Sequence, residues 1–212
     1  MNVKLVSTTL WVDDNGNPRS PEELIMFCAR VSSNNQESGK TGLIRYCIEN
    51  KHWSIFEMAD MTVEIETSRA ISPQILRHKS FQFQEFSQRY AAVTEFEPIE
   101  LRMQGSTKQG SDDLVPQHLM SLQDKVERSR RMSEEVYKEL LQHGVSRESA
   151  RGILPLCAQT KLYMKGSVRS WIHYLQVRCA SNTQKEHRLI AEKIKEIFVE
   201  EFPLIADALN WE

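Results

Sequence analysis

The spacing of apolar and polar positions changes several times along the chain, and each change marks an element. Residues 4–12 alternate loosely, which predicts an edge strand, and the run from Asp13 through Gly16 to Pro18 is a turn. Ser20, Pro21, Glu22 and Glu23 predict a helix to about residue 31, with a serine cap, a proline in the first turn and acids at the positive end. A polar loop over 32–41 and a helix over 42–51 follow. Residues 61–67 alternate strictly and predict a half-buried strand. Ser72 and Pro73 repeat the cap-and-proline pattern and predict a helix to about residue 79, with Gln74, Arg77 and His78 on one face. The aromatic spacing then slips, because Phe81 and Phe83 are odd and Phe86 is even. That slip predicts a loop or bulge before a strand over 86–93, with Ser87 and Arg89 on one face and Gln88 and Tyr90 on the other.

The second half has helical spacing. Residues 116–143 predict one long amphipathic helix with Leu119, Leu122, Val126, Val136 and Leu140 turned inward. A segment over 147–154 ends before Pro155, helices over 167–180 and 183–201 come next, and a short helix closes the chain. Residues 104–113, polar and glycine-containing, are the expected mobile loop. The fold class is α+β: a small mixed or antiparallel sheet built early, helices packed over it, and a single domain over 1–212.

Composition narrows the function classes. The net charge of −2 means that anion binding rests on local clustering, which argues against a general nucleic-acid binder. No apolar run approaches the roughly 20 residues that span a bilayer, and residues 1–7 lack the apolar centre of a secretory signal. The four cysteines, Cys28, Cys47, Cys157 and Cys179, form no C-x-x-C pair and read as reduced thiols of a cytoplasmic protein, with no metal site expected.

The densest chemistry lies between Gln74 and Tyr90, where Arg77, His78, Lys79 and Arg89 are threaded through Phe81, Phe83, Phe86 and Tyr90. Cations among rings suit a site that stacks planar groups and neutralises an anion, which points to a nucleotide or an aromatic cofactor. Residue types alone leave open a solvated helix end beside a core strand. Two further segments carry similar chemistry. Ser54 and Glu57 form S-x-x-E, which alone reads as a helix capping box. Trp171, Leu175 and Arg178 fall on one helical stripe, so Arg178 needs an anionic or acceptor partner unless it reaches the surface.

The triplet Arg77-His78-Lys79, seven residues and then Ser87 resembles the RHR-x7-S hallmark of the flavin-dependent thymidylate synthases (the ThyX family). The third position departs from it: Lys keeps the charge but loses the planar fork. His52, Ser54, Phe56 and Glu57 match a His-x-Ser/Thr-x-Phe-Glu element of that family, although Met58 stands where many relatives have a second histidine. Arg151 matches the arginine of an Arg-x-x-x-Pro element. Ser32, after Ala29-Arg30-Val31, matches a serine that touches the flavin. Ser167, Arg169 and His173 match flavin contacts on a later helix, with Ser167 and His173 where relatives often have Asn. Arg178 matches the arginine that ionises the uracil ring.

The resemblance implies reductive methylation of dUMP to dTMP, with methylenetetrahydrofolate as carbon donor, FAD as redox carrier and NADPH as reductant. It implies that Gln74, Arg77, Glu85, Phe86, Ser87, Gln88, Arg89, Arg151 and Arg178 hold dUMP, with Arg178 catalytic. It assigns FAD to Ser32, His52, Ser54, Glu57, Arg77, His78, Lys79, Glu85, Ser167, Arg169 and His173. It also implies a homotetramer with active sites shared between subunits. The absence of a Pro-Cys pair agrees, because methylation without that thiol needs another electron source. No G-x-G-x-x-G occurs, so no Rossmann fold is indicated. Two other readings differ in class: a nucleotide- or single-strand RNA-binding module without catalysis, and a helical structural protein with an incidental motif.

Overall fold

A computed structural model describes residues 1–36, 42–107, 110–112 and 116–211. Its centre is a four-stranded antiparallel sheet in the order β1 (Asn2–Thr8), β4 (Asp60–Ser68), β8 (Gln159–Ser167), β5 (Gln82–Glu85). Two two-stranded ladders accompany it: β2 (Trp11–Val12) with β3 (Pro18–Arg19), and β6 (Met103–Gln104) with β7 (Ser111–Asp112). The helices are α1 (Pro21–Ala29), α2 (Gly42–Glu49), α3 (Ser72–Ile75), α4 (Gln117–Gln142), α5 (Arg147–Ala150), α6 (Val168–Arg178), α7 (Lys185–Glu201) and α8 (Pro203–Ala208). The α+β class and the antiparallel sheet are as expected.

Alternation in β4 and β8 gives the sheet two unlike faces. Met61, Val63 and Ile65 of β4 and Leu162 and Met164 of β8 are fully buried in the main core with Trp171, Ile172, Leu175, Ile190, Ile194 and Phe198 of α6 and α7. The indole of Trp171 donates to the Met61 carbonyl at 3.0 Å and fixes α6 to the sheet. The opposite face carries cross-strand polar pairs: Tyr163 donates to Glu64 at 2.7 Å, and Lys161 meets Glu66 at 3.0 Å. Gly166 permits a close approach, because a Cβ there would stand 2.4 Å from the Phe81 ring.

Local signals fixed several boundaries well. Ser20 and Glu23 form the reciprocal capping box of α1, and Ser167 caps α6 by accepting from the Ser170 amide. The first strand is shorter than expected, ending at Thr8, and Trp11 and Val12 turn away into their own hairpin. α2 stops at Glu49 and Lys51 takes a positive φ of 58°. Of the expected loop over 32–41, positions 37–41 lie outside the described residues, as do 108, 109 and 113 of the loop over 104–113; β6 and β7 border the latter.

Three expectations are corrected. The helix from Ser72 is a single turn, and Ser72 does not cap it, because its hydroxyl donates to Glu85 instead. The strand lies before the aromatic slip and not after it. β5 ends at Glu85, and the chain leaves the sheet edge at Phe86, whose amide donates to the Lys161 carbonyl at 2.8 Å. It returns at Glu95, whose carbonyl accepts from the Gln159 amide at 3.0 Å. Between them the Tyr90 and Ala91 amides both donate to the Ser87 carbonyl, a turn that consumes the hydrogen bonds a strand over 86–93 would need. Finally, α4 is not inward-facing throughout. Leu140 packs with Tyr137 against Val93, Ala150 and Phe96 as expected, but Leu122, expected inside, is 40% exposed, and Met120 and Met132 are 65% and 60% exposed.

Candidate functional site

The expected site residues gather in four places. The first joins the 3₁₀ turn Trp53–Glu57 to the start of α6. Arg169 donates to the Glu57 carboxylate, and the His173 ring lies 5.2 Å from that of Trp53. The predicted capping box of Ser54 and Glu57 does not form; no side chain caps this turn, and Glu57 is turned to Arg169. Beside it an open depression of about 460 Å³ is lined by Glu57, Asp60, Ser80, Gln82, Lys165, Ser167 and Ser170. The Ser170 hydroxyl donates to the Ser80 carbonyl at 3.2 Å, so the end of the basic triplet abuts the N-terminus of α6. His52 and Ser54 are exposed nearby in sequence.

The second place is the junction of the α3 segment with α6 and α7. The expected common face of Gln74, Arg77 and His78 does not persist once the helix stops at Ile75. Gln74 donates to Gln184 at 2.6 Å, and His78 turns to α6, while Arg77 is exposed. Arg178 is half-buried and its Nε donates to Nε2 of His78 at 2.9 Å, so its partner is a neutral acceptor. Burial and the adjacent Arg178 charge hold His78 down at about 4. Its ring stands edge-on to Tyr174 at 4.8 Å, and the Tyr174 hydroxyl meets Nε2 of the fully buried His187 at 3.0 Å. His187 is likewise held at about 4, first by burial and then by Arg178 and His78.

The third place is the end of β5. Glu85 accepts from Ser72 and from Thr160 (3.0 Å) on one oxygen, and pairs with Arg69 at 2.9 Å on the other. Arg69 also donates to the Phe86 carbonyl at 2.7 Å. These contacts, with the Tyr137 hydroxyl accepting from the Val93 amide at 3.2 Å, hold both ends of the excursion that presents Ser87, Gln88, Arg89 and Tyr90. Ser87 accepts from the Arg89 amide at 3.3 Å. Arg69, Ser72 and Thr160 were not singled out from the sequence; Arg69 stands close before the basic triplet but belongs to no matched element. Tyr174 and His187 were missed too, since nothing in their local sequence marks them.

The fourth place lies at the tip of that excursion. Arg89 meets Glu148 at 3.3 Å, and Arg89, Tyr90, Ser146, Arg147 and Glu148 line a shallow depression of about 310 Å³. Arg151 is exposed a turn further on. The side chains of Arg77, Lys79 and Arg151 have no hydrogen bond or ion pair among the described residues, and Ser32 lies in an exposed turn after α1, joined to none of the four groups.

This donor set can bind an anionic, ring-bearing cofactor. Exposed cations without internal partners, exposed imidazoles at His52 and His173, and the N-terminal end of α6 facing a depression are the groups such a molecule needs. Among the described residues no helix is long and apolar enough to cross a membrane.

A model of the thymidylate synthase complementing protein family matches residues 14–204. The flavin-dependent thymidylate synthase of Synechocystis sp. (strain ATCC 27184 / PCC 6803 / Kazusa) is 51% identical over 217 residues, covering all of both chains. A probable flavin-dependent thymidylate synthase of Paramecium bursaria Chlorella virus 1 is 48% identical over the same span and also fully covered. Among solved structures, a UMP/dUMP methylase PolB from Streptomyces cacaoi bound with 5-Br dUMP superposes with a TM-score of 0.81 at 25% identity, over 99% of this chain and 94% of that one.

Proposed function

Since the chain belongs to the flavin-dependent thymidylate synthase family, we propose that it makes dTMP by reductive methylation of dUMP, with methylenetetrahydrofolate as carbon donor, FAD as bound redox group and NADPH as reductant. Tetrahydrofolate is the released product. Bound FAD supplies the two-electron chemistry that a site without a Pro-Cys nucleophile requires.

The observation that carries this reading is the state of Arg178. It sits half-buried at the end of α6 with one N–H given to His78, and its terminal nitrogens have no partner among the described residues. A fixed cation offering unused donors can stabilise negative charge as it develops on a uracil imide. Together with it, Gln74, Arg77, Arg89 and Arg151 bind the nucleotide, helped by Ser87 and the main chain of Phe86 and Gln88. Glu85 is engaged by three side chains and offers the remaining lone pair of one oxygen. His52, Ser54, Glu57, Ser167, Arg169 and His173 form one wall of the FAD site, with Arg77, His78, Lys79 and Ser32 as further contacts.

The excursion carrying Ser87 to Tyr90 and the depression at α6 are separate features of one chain. We assign the active site to a homotetramer, in which neighbouring subunits bring these features together. Met120, Leu122 and Met132 on α4 are exposed apolar side chains that such packing would cover. Sedimentation of active enzyme as a monomer would overturn this assignment. For the chemistry, Arg178→Ala is expected to retain FAD while dTMP formation falls by about 10²–10³-fold. Unchanged turnover in that variant would remove Arg178 from the mechanism.

A further inference from the structure

The contact between Arg178 and His78 determines more than the partner of the arginine. A guanidinium Nε can only donate, so Nε2 of His78 must be the acceptor, and the imidazole proton sits on Nδ1. The ring cannot turn over without losing that bond. It is edge-on to Tyr174 at 4.8 Å, with Phe81 at 6.5 Å and His187 at 6.2 Å. Tyr174 cannot move aside easily either, because its hydroxyl is tied to His187, which is fully buried in the first turn of α7.

We propose that Tyr174 and His187 are positioning residues: a buried, neutral prop that holds His78 as the Nδ1–H tautomer and thereby aims Arg178. The inference rests on the role given to Arg178 above, but Tyr174 and His187 are both buried, which leaves neither an open face for a ligand. They act through His78 alone.

Both helix dipoles favour this charge arrangement. Arg178 lies in the last turn of α6, where a cation is favoured, and His187 in the first turn of α7, where one is disfavoured. The titratable and charged groups around His78 are Arg178 and Tyr174 from α6 and His187 from α7. Burial raises the Tyr174 phenol well above its ordinary value, so it stays protonated. Nδ1 of His187 is buried without a hydrogen-bond partner. A protonated His187 would therefore bury a second positive charge near Arg178 with no acceptor for its Nδ1–H, which is the costly state. The prop leaves Arg178 as the one charge in the cluster. It also keeps the His78 Nδ1–H on the ring edge that does not meet Arg178.

The test is a long-range ¹H–¹⁵N imidazole spectrum of the purified full-length protein from pH 5 to 8, with assignments from His78→Gln and His187→Gln. His78 is expected to show a protonated Nδ1 and a bare Nε2 throughout. In Tyr174→Phe, folded by circular dichroism, the tautomers should mix and kcat fall about 10-fold, with KM for the nucleotide changed less than about 3-fold. His187→Gln, which keeps a neutral partner for Tyr174, should restore most of kcat relative to His187→Leu. A proton on Nε2 of His78, titration of His78 near 6.5 in the unsubstituted protein, or Tyr174→Phe with unaltered tautomer and kcat would each overturn the proposal. Because the tautomer is read without turnover, an enzyme that made no dTMP would sink the proposed function and leave this measurement standing.

Discussion

Glu85 and Arg77 lie close together in the chain and in opposite circumstances. Glu85 is engaged by Arg69, Ser72 and Thr160, whereas Arg77 is exposed with no partner among the described residues. The same contrast divides the whole site. Glu85, His78 and Arg178 are positioned from behind by this chain's own side chains. Arg77, Lys79 and Arg151 have no such support. The inner half is built before any ligand arrives, and the outer half supplies charge that a bound anion or a neighbouring subunit must organise. Pre-organisation is worth most where geometry controls chemistry, and least where a cation need only face a phosphate.

Substitutions can break this comparison at its strong end first. Arg69→Met removes the cation from a mostly buried carboxylate and a donor from the Phe86 carbonyl, and should cost about 2–4 kcal/mol, discounted from a fully buried pair for partial exposure. Urea unfolding measures it, and a loss under about 0.5 kcal/mol would show that Glu85 needs no partner. Gly166→Ala drives a methyl into Phe81, which packs against Trp171 at 4.7 Å and Tyr174 at 5.7 Å. A cost of about 1–3 kcal/mol is expected from overpacking, and unaltered stability would mean that the Phe81 ring yields freely.

The buried titratable groups give opposing pH trends. His78 and His187 are held at about 4 against an unfolded value near 6.5, so the unfolded chain binds more protons between those limits. Their contribution is complete above about pH 6.5 and is lost as pH falls towards 4. Glu22, buried and accepting from the Ile205 amide at 2.8 Å, is pushed up to about 7, chiefly by burial. Its contribution is complete below about pH 4.5 and is lost as pH rises through 7. Glu22→Gln should therefore stabilise the protein by roughly 1–2 kcal/mol at pH 8 and by almost nothing at pH 4. Equal effects at both values would show that Glu22 does not titrate in this range.

The smallest effects belong to the outer cations. Arg77→Ala, Lys79→Ala and Arg151→Ala should each change stability by less than about 0.5 kcal/mol. Ligand affinity should weaken: for FAD and nucleotide with Arg77, for FAD with Lys79, and for nucleotide with Arg151. A large stability loss in any of them would erase the distinction between the two halves.

The sequence showed the site residues of both halves more readily than the side chains that support the inner one. Arg77, Lys79, Arg89 and Arg151 are exposed, belong to short patterns and need no knowledge of the fold. The cap at Ser20 was legible for a related reason, because it is decided within a few residues. The strand expected over 86–93 failed because its pairing depends on the edge of β8, distant in sequence, which there takes only the Phe86 amide at Lys161 and the Glu95 carbonyl at Gln159. Tyr174, His187, Arg69 and Thr160 left no local signal. Their roles exist only once α6 meets α7, and β8 meets β5.

The most direct measurement of the central claim is anaerobic turnover of the purified protein with its visible spectrum recorded throughout. The account predicts a yellow protein whose flavin absorbance bleaches with NADPH, and which then converts dUMP to dTMP when methylenetetrahydrofolate is present. A colourless protein that takes up no added FAD and forms no dTMP would contradict it, and would leave the cations and rings between Gln74 and Tyr90 as a nucleotide-binding surface without catalysis.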